Sequence, residues 1–151
     1  MRKERGKLER VYTAQYYTFY VADIQEMHFL FVALGGAMGA VGRYAISLIP
    51  IKTVFHAPAF PVLTLITNIM GSILIGIIVG MTDNRTSQNW ILFWKTGVCG
   101  GFTTFSTFSL EAYELFENKS YVPCGIYIVL SVACCLFGVY CGRKIAILLH
   151  G

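Results

Sequence analysis

Residues 97–111 read Gly-Val-Cys-Gly-Gly-Phe-Thr-Thr-Phe-Ser-Thr-Phe-Ser-Leu-Glu, and this stretch is the most informative part of the chain. It lies inside an apolar segment, at a depth where plain helix is expected, yet five hydroxyl residues surround three phenylalanines. The pair Gly100-Gly101 weakens the helix and predicts a break near Gly100. Irregular backbone in a bilayer survives only where protein buries it or a wet cavity receives it, and broken helices tend to carry ion sites. The stretch therefore indicates an ion pathway rather than a lipid-facing anchor.

The composition is that of a membrane protein. Hydrophobic residues make up 56% of the chain and charged residues only 13%, whereas soluble domains carry about 25% charged residues. A length of 151 residues predicts one domain. The net charge of +4 comes mostly from the first ten residues, which hold five of the twelve Lys and Arg. No basic stripe recurs, so nucleic-acid binding is not predicted.

Four apolar segments predict four transmembrane helices, because a crossing needs about 20 mostly apolar residues. They run from about residue 28 to 49, 60 to 81, 90 to 116 and 122 to 141. The connections 51–59, 82–89 and 117–121 are short and leave no room for an extramembrane domain. The sequence therefore predicts an all-α, multi-pass protein of the cell membrane, whose third helix is broken and which acts within the bilayer.

The first 26 residues differ in character from the four-span domain at 27–151. They are basic at first and then rich in tyrosine, and no small-residue cleavage site marks a signal peptide. One interpretation is an amphipathic segment on the membrane surface. The favoured one is that translation starts at Met27, directly before the first span, so that the tail is not translated.

Lys and Arg residues near the span ends set the orientation of a membrane protein. Without the tail they are almost balanced between the two sides: Arg85, Lys95, Arg143 and Lys144 against Arg43, Lys52 and Lys119. Such a chain can insert both ways and pair with an inverted copy of itself. The five Lys and Arg of the tail would break that balance and place the N-terminus inside. Glycine pairs four residues apart predict close helix packing: Gly35 and Gly39, Gly76 and Gly80, Gly138 and Gly142.

Polar side chains within the spans need partners away from water. Asn68, in the second span, either bonds across helices as a structural group or serves a ligand. Arg43, late in the first span, is long enough to reach the interface and could also draw anions into a vestibule. Glu111 is followed by two more glutamates and is expected near the interface.

In the fourth span Tyr127, Ser131 and Cys135 are four residues apart and share one helix face. They form either a polar track or sporadic hydrogen bonds between helices. The five cysteines show no CxxC metal spacing, and the three histidines form no ligand cluster. Because no nucleophile-and-base set, phosphate loop or carboxylate pair is evident, an enzyme is not predicted.

Three motifs together resemble the signatures of the CrcB/Fluc fluoride channels. They are Gly-Gly-Ala-Met-Gly-Ala-Val-Gly-Arg-Tyr at 35–44, Thr-Asn-Ile-Met-Gly-Ser at 67–72, and Gly-Gly-Phe-Thr-Thr-Phe-Ser-Thr-Phe-Ser-Leu-Glu at 100–111. The resemblance covers the chain from about Met27 to the C-terminus, and the third motif is the specific one. Departures are the N-terminal tail and Cys135, where the family more often has a hydroxyl residue.

The resemblance implies an antiparallel, dual-topology homodimer with two pores along the subunit interfaces, passing fluoride down its gradient to lower cytoplasmic fluoride. A heterodimer with a homologous chain stays open. It implies a structural Na⁺ at the dimer centre, held by backbone carbonyls of Gly100 and Thr103. Its pore residues map to Asn68, Phe105, Phe108, Tyr127 and Ser131, with hydroxyl donors nearby at Thr104, Ser106 and Thr107.

Two other classes of membrane protein are alternatives to a channel. A proton-coupled exporter of the small multidrug resistance type needs a membrane-embedded carboxylate in its first span, and residues 29–49 contain no Asp or Glu. A membrane scaffold without transport activity would explain the glycines but not the run of hydroxyl and phenylalanine residues. The channel is therefore the favoured interpretation.

Overall fold

The computed structural model describes the backbone of residues 2–50, 60–83 and 85–150, and side chains within those ranges from residue 25 to 149. In this part of the chain every regular element is a helix. The elements are α1 Arg2–Ser47, α2 Val62–Gly80, α3 Gln88–Ile91, the π-helix π1 Leu92–Cys99, α4 Gly100–Phe102, α5 Phe105–Glu117 and α6 Tyr121–His150. The predicted connection 51–59 lies outside the described residues.

Three of the four predicted spans are continuous helices. The segments Gln25–Ser47, Val62–Gly80 and Tyr121–Leu149 are each long and apolar enough to cross a membrane. The third predicted span is the run from α3 to α5, which is interrupted after α4, so no single piece of it has that length. The prediction of an all-α, multi-pass membrane protein with a broken third helix is confirmed.

Two helices extend past the predicted limits of their spans. α1 begins at Arg2, so the expected tail and the first span share one 46-residue helix, and residue 26 is not a helix boundary. α6 continues to His150, although the fourth span was predicted to end at Cys141. Arg143 and Lys144 can mark a membrane interface without ending a helix, because helical backbone satisfies its own hydrogen bonds in water as in lipid.

Glycine lets α1 lie backbone to backbone against π1 and α4. A Cβ atom on Gly39 would collide with the carbonyl oxygen of Val98 and would lie 2.8 Å from the backbone nitrogen of Phe102. Across the seam, a Cβ atom on Gly101 would collide with the carbonyl oxygen of Gly36. The predicted close packing is confirmed here, and it fixes one side of the broken helix.

A second glycine seam joins α2 to α6. A Cβ atom on Gly76 would collide with the carbonyl oxygen of Val139, and one on Gly142 would collide with that of Ile73. Beyond this seam, Tyr127 of α6 is fully buried among side chains of α5, including Phe108 and Leu115. The broken helix is therefore held between a rigid neighbour on one side and the α2–α6 pair on the other.

Candidate ion pathway at the helix break

The break consists of two residues with extended backbone. Thr103 has φ −81° and ψ 156°, and Thr104 has φ −148° and ψ 113°. Gly100 and Gly101 are themselves helical, so the break lies three residues beyond the expected position near Gly100. Gly101 also serves the close approach of α1.

Asn68 of α2 holds the break open. The backbone N–H of Thr104 donates to Asn68 Oδ1 at 2.8 Å, and Asn68 Nδ2 donates to the carbonyl oxygen of Thr104 at 3.2 Å. The amide thus replaces helical hydrogen bonds that Thr104 would otherwise make. An amide nitrogen carries two hydrogens, so one N–H of Asn68 remains for another acceptor.

The two helix ends at the break are both capped. Thr104 Oγ1 accepts from the backbone N–H of Thr107 at 3.2 Å, which makes Thr104 the N-cap of α5. Its hydroxyl also donates to Thr107 Oγ1 at 3.0 Å and lies 3.3 Å from Ser106 Oγ. On the other end, Arg43 Nε donates to the carbonyl oxygen of Gly101 at 3.3 Å. Arg43 therefore supports the C-terminal end of α4, a cation at the negative end of a helix.

The carbonyl groups of Gly100 and Thr103 lose their usual helical donors. In an unbroken helix the N–H four residues later, from Thr104 and Thr107, would bond to them. Those N–H groups instead donate to Asn68 Oδ1 and to Thr104 Oγ1. Both carbonyl oxygens are thereby freed for a hard cation, and the donor set fits Na⁺.

A cavity of about 380 Å³ opens beside the break, between α2, π1, α5 and α6. Seven of the predicted residues line it: Asn68, Gly100, Thr103, Thr104, Phe105, Phe108 and Ser131. The structure thus brings most of the predicted set together. Four others lie outside the lining: Arg43, Ser106, Thr107 and Tyr127.

The two predicted pore phenylalanines differ in burial. Their ring centroids are 5.4 Å apart, with an interplanar angle of 46°. Phe108 is 8% exposed and contacts the Tyr127 ring at a centroid distance of 5.2 Å, whereas Phe105 is 78% exposed. Phe108 therefore belongs to the wall of one chain, and Phe105 presents its ring outward at the open side of the cavity.

Glu111 has two hydrogen-bond partners that the sequence analysis did not predict. It is half-buried, and its two carboxylate oxygens accept from Thr64 Oγ1 and from the Tyr127 hydroxyl, each at 2.7 Å. Helical spacing could have found it: Thr64 is one turn before Asn68, and Glu111 follows Phe108 by three residues. The Tyr127 hydroxyl is consequently donated to Glu111 and does not face the cavity.

Ser131 has a buried hydroxyl without a partner. The residue is 6% exposed, and its Oγ makes no hydrogen bond with any described residue. It lines the cavity together with Cys135, one helical turn further on. An unsatisfied buried hydroxyl costs about 1–3 kcal/mol, so this Oγ calls for a partner that the described residues do not supply.

Comparisons with known proteins agree with this architecture. The family model described as CrcB-like protein, Camphor Resistance (CrcB), matches residues 30–143. That match begins within α1 and ends within α6, and it contains both glycine seams and the break.

Several curated relatives are named fluoride-specific ion channel FluC. The protein of Ruminiclostridium cellulolyticum is 45% identical over 117 residues, covering 76% of this chain and 88% of that protein. The protein of Rhodospirillum rubrum is 41% identical over 128 residues, covering 82% and 98%. That of Methanococcus maripaludis is 41% identical over 116 residues, covering 76% and 91%. With the family model spanning most of the chain and these relatives matched over nearly their whole length, this protein belongs to the CrcB family.

Proposed function

We propose that this chain forms a fluoride-selective channel that passes fluoride down its gradient and so lowers cytoplasmic fluoride. The observation that carries the proposal is the cavity beside the helix break, where Ser131 offers a buried hydroxyl without a partner. Asn68 and the two phenylalanines complete a set of neutral groups around the same space. The names of the relatives support fluoride as the ion, and conduction through such a wall requires no catalytic residue.

Neutral groups suit a small, tightly hydrated anion. Conduction needs binding that is favourable enough for entry and weak enough for release. A hydroxyl, an amide N–H and the positive edges of aromatic rings can replace water around fluoride without trapping it. Phe105 and Phe108 are placed to offer such edges, since both line the cavity.

The pathway needs a second chain, and the nearly balanced Lys and Arg outside the tail favour the opposite orientation for it. In a single chain the cavity is open on one side, and Phe105 there is 78% exposed. An inverted copy would cover that side and enclose the ion between two subunits. An antiparallel homodimer follows from this reasoning, and a homologous inverted chain could take the same place.

A structural Na⁺ at the centre of that dimer would be held by the carbonyl oxygens of Gly100 and Thr103. One chain supplies only these two oxygens, so a complete shell would draw the same pair from the second subunit. The diversion of their helical donors to Asn68 and Thr104 supports this assignment. The ion would join the two breaks and supply no chemistry to conduction.

Fluoride efflux from proteoliposomes tests the channel directly. Vesicles loaded with potassium fluoride should release it once valinomycin carries the balancing charge, while vesicles loaded with potassium chloride should not release chloride. Proton-coupled transport would instead need a pH gradient. Fluoride efflux that stops when a protonophore removes the gradient would favour proton coupling, and absence of fluoride efflux would reject the channel.

A further inference from the structure

Lys95 is the one charged side chain among the described residues that line the cavity. It is exposed, and it lies in π1 upstream of the break. The lining contains no acidic side chain, so nothing on the cavity wall neutralises the ammonium group. A positive charge on the wall of an otherwise neutral anion cavity calls for an explanation beyond packing.

The π-helical winding brings Lys95 to the cavity. In an α-helix each residue turns by about 100°, so Lys95 and Gly100 would lie about 140° apart around the axis. A π-helix has hydrogen bonds between residues five apart, which brings such residues towards one face. Both Lys95 and Gly100 are exposed and line the cavity, while Gly97 and Val98 between them are buried. The unusual winding therefore gives the lysine its position beside the break.

Arg43, the other cationic residue near the break, does not contribute its charge to the cavity. The Arg43 Nε donates to the Gly101 carbonyl, and Arg43 does not line the cavity. Its charge is directed to the end of α4 on the α1 side of the broken helix. Lys95 is therefore the cationic residue that the described part of each chain contributes to the cavity wall.

We propose that Lys95 is the group that attracts anions into this cavity and sets the rate at which they enter. The inference rests on the proposed channel function. The cavity wall is graded: Lys95 and Phe105 are exposed in the single chain, whereas Ser131 and Phe108 are buried. An exposed charge in a concave site concentrates counter-ions without desolvating them, and neutral donors then receive the anion further in. Entry and passage are thus assigned to different residues.

The test compares Lys95→Met, Lys95→Gln and Lys95→Arg with a matched control, Lys119→Met. Lys119 lies in the turn between α5 and α6 and does not line the cavity. Initial fluoride efflux is measured in phosphatidylcholine vesicles, at low fluoride, with potassium gluconate setting the ionic strength. Size-exclusion chromatography shows which variants retain the oligomeric state of the parent protein.

At about 10 mM ionic strength, where charge acts over about 30 Å, Lys95→Met and Lys95→Gln should lower efflux by about tenfold. At about 1 M, where screening is complete within about 3 Å, the difference should nearly vanish. Lys95→Arg and Lys119→Met should behave as the parent protein at both salt concentrations. A loss independent of salt, or an equal loss in Lys119→Met, would overturn the assignment, as would parental efflux in both neutral variants. Were one neutral variant misfolded, the other would decide; absence of efflux in the parent protein would instead reject the channel itself.

Discussion

The broken helix makes different kinds of contact on its two sides. On the side of α1 the contact is backbone against backbone, with Gly39 and Gly101 leaving no space for a methyl group. On the side of α2 and α6, side chains with hydrogen-bonding groups surround a cavity of about 380 Å³, although Gly71 of α2 lies close to the side chain of Thr103. One side is filled by backbone contacts, and the other leaves a space that can hold an ion. Rigidity and function are thus separated across a single helix.

The largest effect is expected from closing the space in the glycine seam. Gly39→Ala should prevent folding, because its Cβ would collide with the Val98 carbonyl and backbone atoms cannot give way as a side chain does. The neighbouring Gly36→Ala is the control, since its Cβ would lie 4.0 Å from the nearest atom outside the helix. Thermal unfolding and size-exclusion profiles in detergent should separate the two variants. Equal stability would show that the seam is more adaptable than its geometry indicates.

On the cavity side, the largest loss of flux is expected from Asn68→Asp. The carboxylate cannot donate to the Thr104 carbonyl, and it places a negative charge beside the path of an anion. Loss of a hydrogen bond and added repulsion together amount to about 3 kcal/mol, or roughly a hundredfold in fluoride efflux. Asn68→Gln keeps a neutral amide and is the control for charge. Parental efflux in the aspartate variant would exclude Asn68 from the pathway.

Substituting the two phenylalanines in turn can separate the effect of the ring edge on fluoride flux from the effect of packing on stability. A cation at the face of a desolvated aromatic ring gains about 2 kcal/mol, and we take the same magnitude for an anion at the ring edge. That free energy corresponds to roughly a thirtyfold change in fluoride flux. Phe105→Ile should lose that flux with little change in the stability of the single chain, because the side chain is 78% exposed. Phe108→Ile should lower both the flux and the stability, since it leaves a void beside Tyr127. If both variants conduct normally as dimers, the rings do not serve the anion.

Ser131→Ala should have smaller effects, which differ in direction between protein stability and fluoride efflux. Removing a buried hydroxyl without a partner should leave the protein as stable as before, or more stable. Fluoride efflux should fall by about tenfold, since a hydrogen bond to a charged group contributes about 1.5 kcal/mol. Thr67→Ala is a useful control, because that buried hydroxyl already donates to the Leu63 carbonyl at 2.8 Å. Lower stability with unchanged efflux would make Ser131 a structural residue.

The sequence carries the parts of this arrangement that depend on local chemistry. Apolar length predicts the spans, glycine spacing predicts the seams, and a run of hydroxyl and phenylalanine residues marks the broken segment. The face shared by Ser131 and Cys135 also follows from helical spacing, because both line the cavity. These features are visible because each is a property of one helix.

The remaining features depend on which helices meet, and the sequence does not reveal them. Asn68 moves the break to Thr104 by competing for its backbone N–H. Glu111 lies among glutamates in the sequence, yet its partners come from α2 and α6. Arg43 reaches Gly101 only because α1 lies so close to α4. Each contact crosses between helices, so its register appears only once the seams are formed.

The smallest effect is expected from removing the N-terminal residues that precede the first span. A chain of residues 27–151, starting at Met27, should conduct fluoride like the full chain. The first glycine of the α1 seam, Gly35, lies beyond that start, so every contact with π1 and α4 argued above is retained. The five Lys and Arg lost with the tail act on orientation alone, and their removal should increase the share of inverted chains. A single-cysteine reporter at one membrane face measures that share in both forms. Well-folded 27–151 without fluoride efflux would show that the N-terminal part of α1 contributes to the pathway itself.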